Sequence, residues 1–86
     1  MKKTAVTQTL DVTGLKCPLP VVKASRALAA MKKGERLVVL STDRASVPDM
    51  IGWAKADPRV IVERQEERVA DATTVFVHTL RRTASP

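Results

Sequence analysis

The hydrophobic period of this chain changes abruptly across Gly14-Leu15-Lys16-Cys17-Pro18-Leu19-Pro20. Before that stretch, Val6, Leu10 and Val12 alternate with Thr7, Thr9 and Asp11, the two-residue period of a half-buried strand over residues 6–12. After it, Val21, Ala24, Leu28 and Met31 recur at helical spacing. A strand must therefore turn sharply into a helix, and Thr13-Gly14 supplies the turn. Proline suits the first helical position because its φ is already helical and its missing N–H would have had no partner there. The spacing predicts a helix from Pro18 to about Lys32, with Cys17 at its N-cap, Pro20 stiffening the first turn and Gly34 closing the far end.

Cys17 is the only cysteine. At an N-cap it would face the free N–H groups of the first turn and the positive end of the helix dipole. That setting favours thiolate, the reactive form. Lys16 and the helix start are the groups expected to lower its pKa, and Pro18 and Gly14 those expected to fix its presentation. The plainer reading is a buried structural cysteine beside two helix-starting prolines.

At 86 residues the chain has room for one core. One cysteine makes no internal disulfide, and one cysteine with one histidine makes no structural zinc site. No metal and no cofactor is expected, and a reducing cytoplasm is the simplest home. Met1-Lys2-Lys3-Thr4-Ala5 begins like a secretory signal, but Thr7, Gln8, Thr9 and Asp11 interrupt any apolar run. No stretch approaches the roughly 20 apolar residues of a membrane-spanning helix. The net charge of +6 is unevenly placed. Residues 1–34 carry seven basic side chains against Asp11 alone, whereas residues 35–86 carry eight of each sign. The positive excess around Cys17 could favour thiolate, steer an acidic protein surface to it, attract RNA, or only keep the domain soluble.

On the outward side of the first helix lie Leu19, Val22, Lys23, Arg26 and Ala30. Leu19, Lys23 and Arg26 are the candidate partner-binding residues, although the same face would serve as ordinary solvated surface. Residues 36–41 form a nearly continuous apolar run, as expected of an interior strand. Ser46 and Asp49 approximate a capping box ahead of a second helix over about residues 47–56, with Val47, Met50, Ile51 and Ala54 on one face. Gly52 suggests close packing there, and Trp53 a core-edge residue. Residues 60–64 read as a third strand, 65–72 as a charged turn, and 73–81 as a fourth strand paired antiparallel with the third. His78 reads as a sheet-face histidine rather than a base, and 82–86 as a frayed tail.

The order is β-α-β-α-β-β. A right-handed crossover makes the first two strands parallel. The expected fold is a two-layer α/β sandwich, a mixed four-stranded sheet with two helices on one face. One domain spans 6–82, with flexible termini at 1–5 and 83–86. Cys17 falls at the carboxyl end of a parallel strand, where α/β folds usually carry chemistry.

The run Leu10-Asp11-Val12-Thr13-Gly14-Leu15-Lys16-Cys17-Pro18-Leu19-Pro20 resembles, in full, the Leu-Asp-x-x-Gly-Leu-x-Cys-Pro-x-Pro opening of the TusA/SirA family of small sulfur carriers. Met31-Lys32-Lys33-Gly34-Glu35 continues the likeness, which covers about residues 8–82. The family usually has Asp-Pro and Ile-Pro where this chain has Asp43-Arg44 and Met50-Ile51, so the side near the second helix differs in what it offers a partner. The resemblance implies a protein sulfur shuttle of the sulfurtransferase kind. Cys17 would accept a sulfane sulfur as a persulfide from a cysteine desulfurase or rhodanese-like donor. It would relay that sulfur to an acceptor protein in tRNA thiolation, molybdenum-cofactor maturation or sulfur oxidation. A monomer suits a relay that docks on two partners in turn, and RNA would be met only indirectly.

Two other functional classes compete, beside a purely structural interaction domain in which Cys17→Ser would be silent. A basic regulatory or RNA-binding module fits the charge, but Trp53 and Phe76 are the only aromatic side chains, few for stacking bases. A thiol redox protein lacks the Cys-x-x-Cys pair that would complete a cycle.

Overall fold

The computed structural model describes residues 7–83. Six elements follow in the order β1 (Thr7–Asp11), α1 (Leu19–Ala29), β2 (Arg36–Ser41), α2 (Ser46–Ala56), β3 (Val60–Ala70) and β4 (Thr73–Arg82). They form one four-stranded sheet in the order β1-β2-β4-β3. β1 runs parallel to β2, with Thr7 opposite Arg36 and Asp11 opposite Leu40. β4 is antiparallel to both neighbours, β2 and β3. The fold is the mixed α/β sandwich that the periodicities predict.

Burial alternates strictly along β2 and along the second half of β4, so one sheet face is covered and the other open. Leu37, Val39 and Leu80 point into the covered side with Val12 and Val60. Ala24, Leu28 and Met31 from the α1 segment and Met50 from α2 complete the core against them. Each of these is 5% exposed or less, so removing a methyl group from this layer would leave a cavity. On the open face Glu63 accepts hydrogen bonds from Arg36 Nε and Arg81 Nε, both at 2.7 Å, and ties three strands together. These two cations hold the Glu63 carboxyl below the usual range.

Several expectations are corrected here. Residues 65–70 are not a turn: β3 continues through them, paired with β4 from Gln65 opposite His78 to Ala70 opposite Thr73. The turn is two residues, Asp71 and Ala72, at φ 48° and 65°. That is the geometry of a tight hairpin whose twist matches the strands. The outer part of the hairpin is exposed, and Val69 is 72% accessible, which is why charged residues serve there on a regular strand.

Arg82 belongs to β4 rather than to a frayed tail. Its guanidinium Nη1 donates to the carbonyls of Leu28 (2.7 Å) and Met31 (3.2 Å) at the end of α1. Ser46 and Asp49 form no capping box. The N-cap of α2 is Ala45, and the buried Ser46 hydroxyl instead meets His78 Nε2 at 2.8 Å. Ile51 is exposed rather than on the core face, and a side chain at Gly52 would meet nothing within 4 Å, so close packing does not explain that glycine. Trp53 sits at the core edge, with its indole N–H donating to Asp57 at 3.0 Å. Val6, the first residue of the expected first strand, lies outside the described residues.

His78 is fully buried on the helix-covered face. Gln65 Nε2 donates to the Val47 carbonyl at 3.0 Å, which fixes its amide, and lies 3.1 Å from His78 Nδ1. Nδ1 must therefore accept, and the ring proton sits on Nε2 facing Ser46. This tautomer is assigned from its partners. Burial pushes the His78 pKa down.

Candidate functional site

Two contacts from the β2–α2 loop and one from the first turn of α2 position Cys17. β1 and β2 are adjacent and parallel, so the β1–α1 and β2–α2 loops leave the same end of the sheet side by side. Gly14 turns the chain after β1 at φ +87°, a value that side-chain-bearing residues rarely adopt. Just before it, Asp11 Oδ1 accepts from the Thr13 N–H (2.9 Å) and hydroxyl (2.7 Å), which closes the strand end. The Gly14 N–H then donates to Thr42 Oγ1 at 2.8 Å, and the Cys17 N–H donates to Asp43 Oδ2 at 2.6 Å. Finally the Cys17 thiol donates to Asp49 Oδ2, in the first turn of α2, at 2.7 Å. The thiol is exposed and free.

The electrostatics differ from the sequence expectation. α1 begins at Leu19, with Pro18 at the N-cap and Pro20 in the first turn, so Cys17 stands one residue before the cap. The Cys17–Pro18 peptide is cis. The two prolines have no N–H to offer, and the Leu19 N–H is spent on the Lys16 carbonyl at 2.9 Å. The helix start is thus largely stripped of the donors that would have faced the sulfur. Asp49 takes their place. Its hydrogen bond raises the Cys17 pKa, followed by loss of solvation and by the negative fields of Asp49 and Asp43. The resting group is a thiol, not an activated thiolate. Lys16 exerts its field on Asp43 rather than setting the state of the sulfur. Asp43 is held below the usual carboxylate range first by the Cys17 N–H, then by the Ala45 N–H, with Lys16 contributing.

The other sequence candidates fall around this point. Pro20 is fully buried and anchors the start of α1 in the core. Leu19 (43% accessible), Val22 (38%), Lys23 and Arg26 share the exposed face of α1. Sequence pattern alone does not mark Thr42, Asp43 or Asp49 as site residues, and it places Asp49 in a helix cap. The signal that could have found them is topological, because loops after adjacent parallel strands meet. Among the described residues no group of three or more His, Cys, Asp or Glu side chains could hold a metal. No helix among them is long and apolar enough to cross a membrane.

Comparison with known proteins agrees with this fold. The profile of the family described as Sulfurtransferase TusA matches residues 8–78. The sulfur carrier protein TusA of Allochromatium vinosum is 43% identical over 60 residues, which cover 70% of this chain and 79% of that protein. A relative from Halobacterium salinarum, provisionally named a sulfur carrier protein, is 42% identical over 78 residues and 91% of both chains. The crystal structure of a SirA-like protein from Desulfitobacterium hafniense is similar with a TM-score of 0.62 at 26% identity. The match covers 85% of this chain and 95% of that one.

Proposed function

The chain belongs to the TusA family of sulfur carriers, and from that premise we propose that Cys17 accepts a sulfane sulfur as a persulfide and delivers it to an acceptor protein. The observation that carries this reading is Cys17 itself, exposed and free of any disulfide, its N–H held by the β2–α2 loop and its thiol by the first turn of α2, at the carboxyl end of β1. In loading, the Cys17 sulfur bonds to the outer sulfur of a donor persulfide. The donor S–S bond breaks, and the donor sulfur leaves with the electron pair and takes up the proton that Cys17 gives. One sulfur atom moves and no net oxidation occurs. Delivery is the same exchange with Cys17 as the leaving group. No second cysteine is present to collapse the persulfide into an internal disulfide.

Two classes of protein partner follow: a donor such as a cysteine desulfurase or rhodanese-like protein, and a thiol-bearing acceptor. The α1 face of Leu19, Val22, Lys23 and Arg26 lies beside the thiol and suits an acidic partner surface with small apolar spots. RNA is a weaker match for this surface. Phe76 is buried beneath the Arg44 guanidinium, 5.1 Å from its ring centre, and Trp53 is tied to Asp57, so neither offers a base-stacking platform.

The test is intact mass after incubation with a cysteine desulfurase and cysteine. The wild type gains the mass of one sulfur atom, a reductant reverses the gain, and Cys17→Ser does not gain it. A wild type that stays unloaded, or a sulfur found elsewhere than on Cys17, refutes the proposal.

A further inference from the structure

We propose that Asp49 is the positioning residue of the relay, a latch that holds the empty carrier's thiol and lets go when the sulfur is loaded. This inference rests on the sulfur-carrier reading and adds a residue to it. The Cys17 sulfur lies 2.7 Å from Asp49 Oδ2. An ionised carboxylate only accepts hydrogen bonds, so that contact exists only while the sulfur carries hydrogen. Once Sγ is bonded to a second sulfur it has no hydrogen left to give. Two acceptors then face one another at a distance that needs a proton between them. A persulfide is also more acidic than a thiol, so at neutral pH the outer sulfur is an anion facing the same carboxylate. Loading therefore breaks the contact and turns the sulfur away from α2.

The groups around the thiol all bear on this. Asp49 comes from α2, Asp43 from the β2–α2 loop and Lys16 from the residue before the cysteine. The Cys17 backbone stays fixed by Asp43 whether or not sulfur is bound, because that bond uses the N–H and not the side chain. Only the side chain is free to change partner. The carrier thus has two local states differing by one hydrogen bond, with the empty state tied to α2 and the loaded state released. A relay must bind donors when empty and acceptors when full, and this contact distinguishes the two. The empty thiol is also kept protonated, which slows reaction with stray electrophiles.

A purely structural Asp49, favourable only because it sits in the first turn of a helix, makes a different prediction. Its loss would change stability and leave the titration of Cys17 alone. The experiment is the rate of Cys17 alkylation by iodoacetamide across pH, for the wild type, Asp49→Asn and Asp49→Glu. Asp49→Asn moves the midpoint of the profile to lower pH and speeds alkylation at neutral pH by about threefold, the gain in thiolate outweighing its lower nucleophilicity. Asp49→Glu restores the charge and moves the profile back toward that of the wild type. In parallel, the side-chain carboxyl 13C resonance of Asp49 is followed in the wild type as desulfurase loads it. It moves on loading and returns on reduction. An unchanged alkylation profile in Asp49→Asn, or an unmoved Asp49 resonance in protein whose mass shows the added sulfur, overturns the latch and leaves the carrier reading intact. Failure of the wild type to load overturns both.

Discussion

Replacing Arg82 with methionine should destabilise this domain. The side chain is 7% exposed, and its partners are carbonyl oxygens rather than carboxylates. Methionine keeps much of the stem volume but removes the cation. The Met31 carbonyl then loses this donor, whereas the Leu28 carbonyl keeps the Met31 N–H at 3.0 Å, and the two lost charge-assisted hydrogen bonds cost about 1.5–2 kcal/mol each. Against that, Arg82 Nε is itself buried without a partner, so removing it relieves about 1 kcal/mol. The net loss is about 2–3 kcal/mol. A chain of this length has about 4–13 kcal/mol in all, and the loss corresponds to a fall in Tm of about 10–20 °C. The backbone pairing is untouched, since the Gly34 and Arg82 N–H groups still donate to Arg82 O and Glu35 O. Urea unfolding followed by Trp53 fluorescence measures the change. Arg82→Lys should recover part of it, because a compact ammonium cannot reach both carbonyls as the planar fork does. A methionine variant within about 0.5 kcal/mol of wild type would show that the contact contributes nothing net and that α1 ends by itself.

Two further outcomes are expected. His78 is buried with its pKa lowered, so the folded state binds fewer protons than the unfolded chain, and stability should decline as the pH drops below the ordinary histidine value of 6.5. Unfolding free energies measured between neutral and mildly acidic pH check this, and a flat profile there would refute a ring kept neutral by burial. Reversing the charge of the exposed α1 face with Lys23→Glu and Arg26→Glu should slow persulfide loading about tenfold at low salt while leaving the unfolding curve unchanged. Equal loading rates at every salt concentration would remove this face from partner docking.

Where the apolar period is strong the elements are legible: the 36–41 run is β2 with its observed bounds, and Ala24, Leu28 and Met31 of the α1 stripe are buried, with Val21 half-buried beside them. The β3–β4 hairpin was misread because Asp71-Ala72 lacks the glycine that usually marks such a turn, and a strand solvated on both faces shows no alternation. Cys17 stood out as the only cysteine, next to a proline. Its electrostatic state did not, since that depends on Asp43 and Asp49, 26 and 32 residues away in the chain. A local reading credits the helix start with polarising the sulfur, although its two prolines donate nothing and the Leu19 N–H is spent on Lys16. Arg82 reads as tail in the sequence because no periodicity reveals a cation bound to the end of a helix 54 residues earlier.

The position of β4 has a consequence for synthesis on the ribosome. It is the last of the six elements to be made, yet it fills an inner place in the sheet and brings the cation that secures α1. While the nascent chain lacks that strand, β2 has only β1 beside it and β3 has no neighbour at all. The polypeptide must therefore wait, with its apolar side uncovered, until nearly all of these residues have left the exit tunnel. A message cut short by a few codons before Arg82 would yield a product fit for proteolysis rather than a shortened carrier.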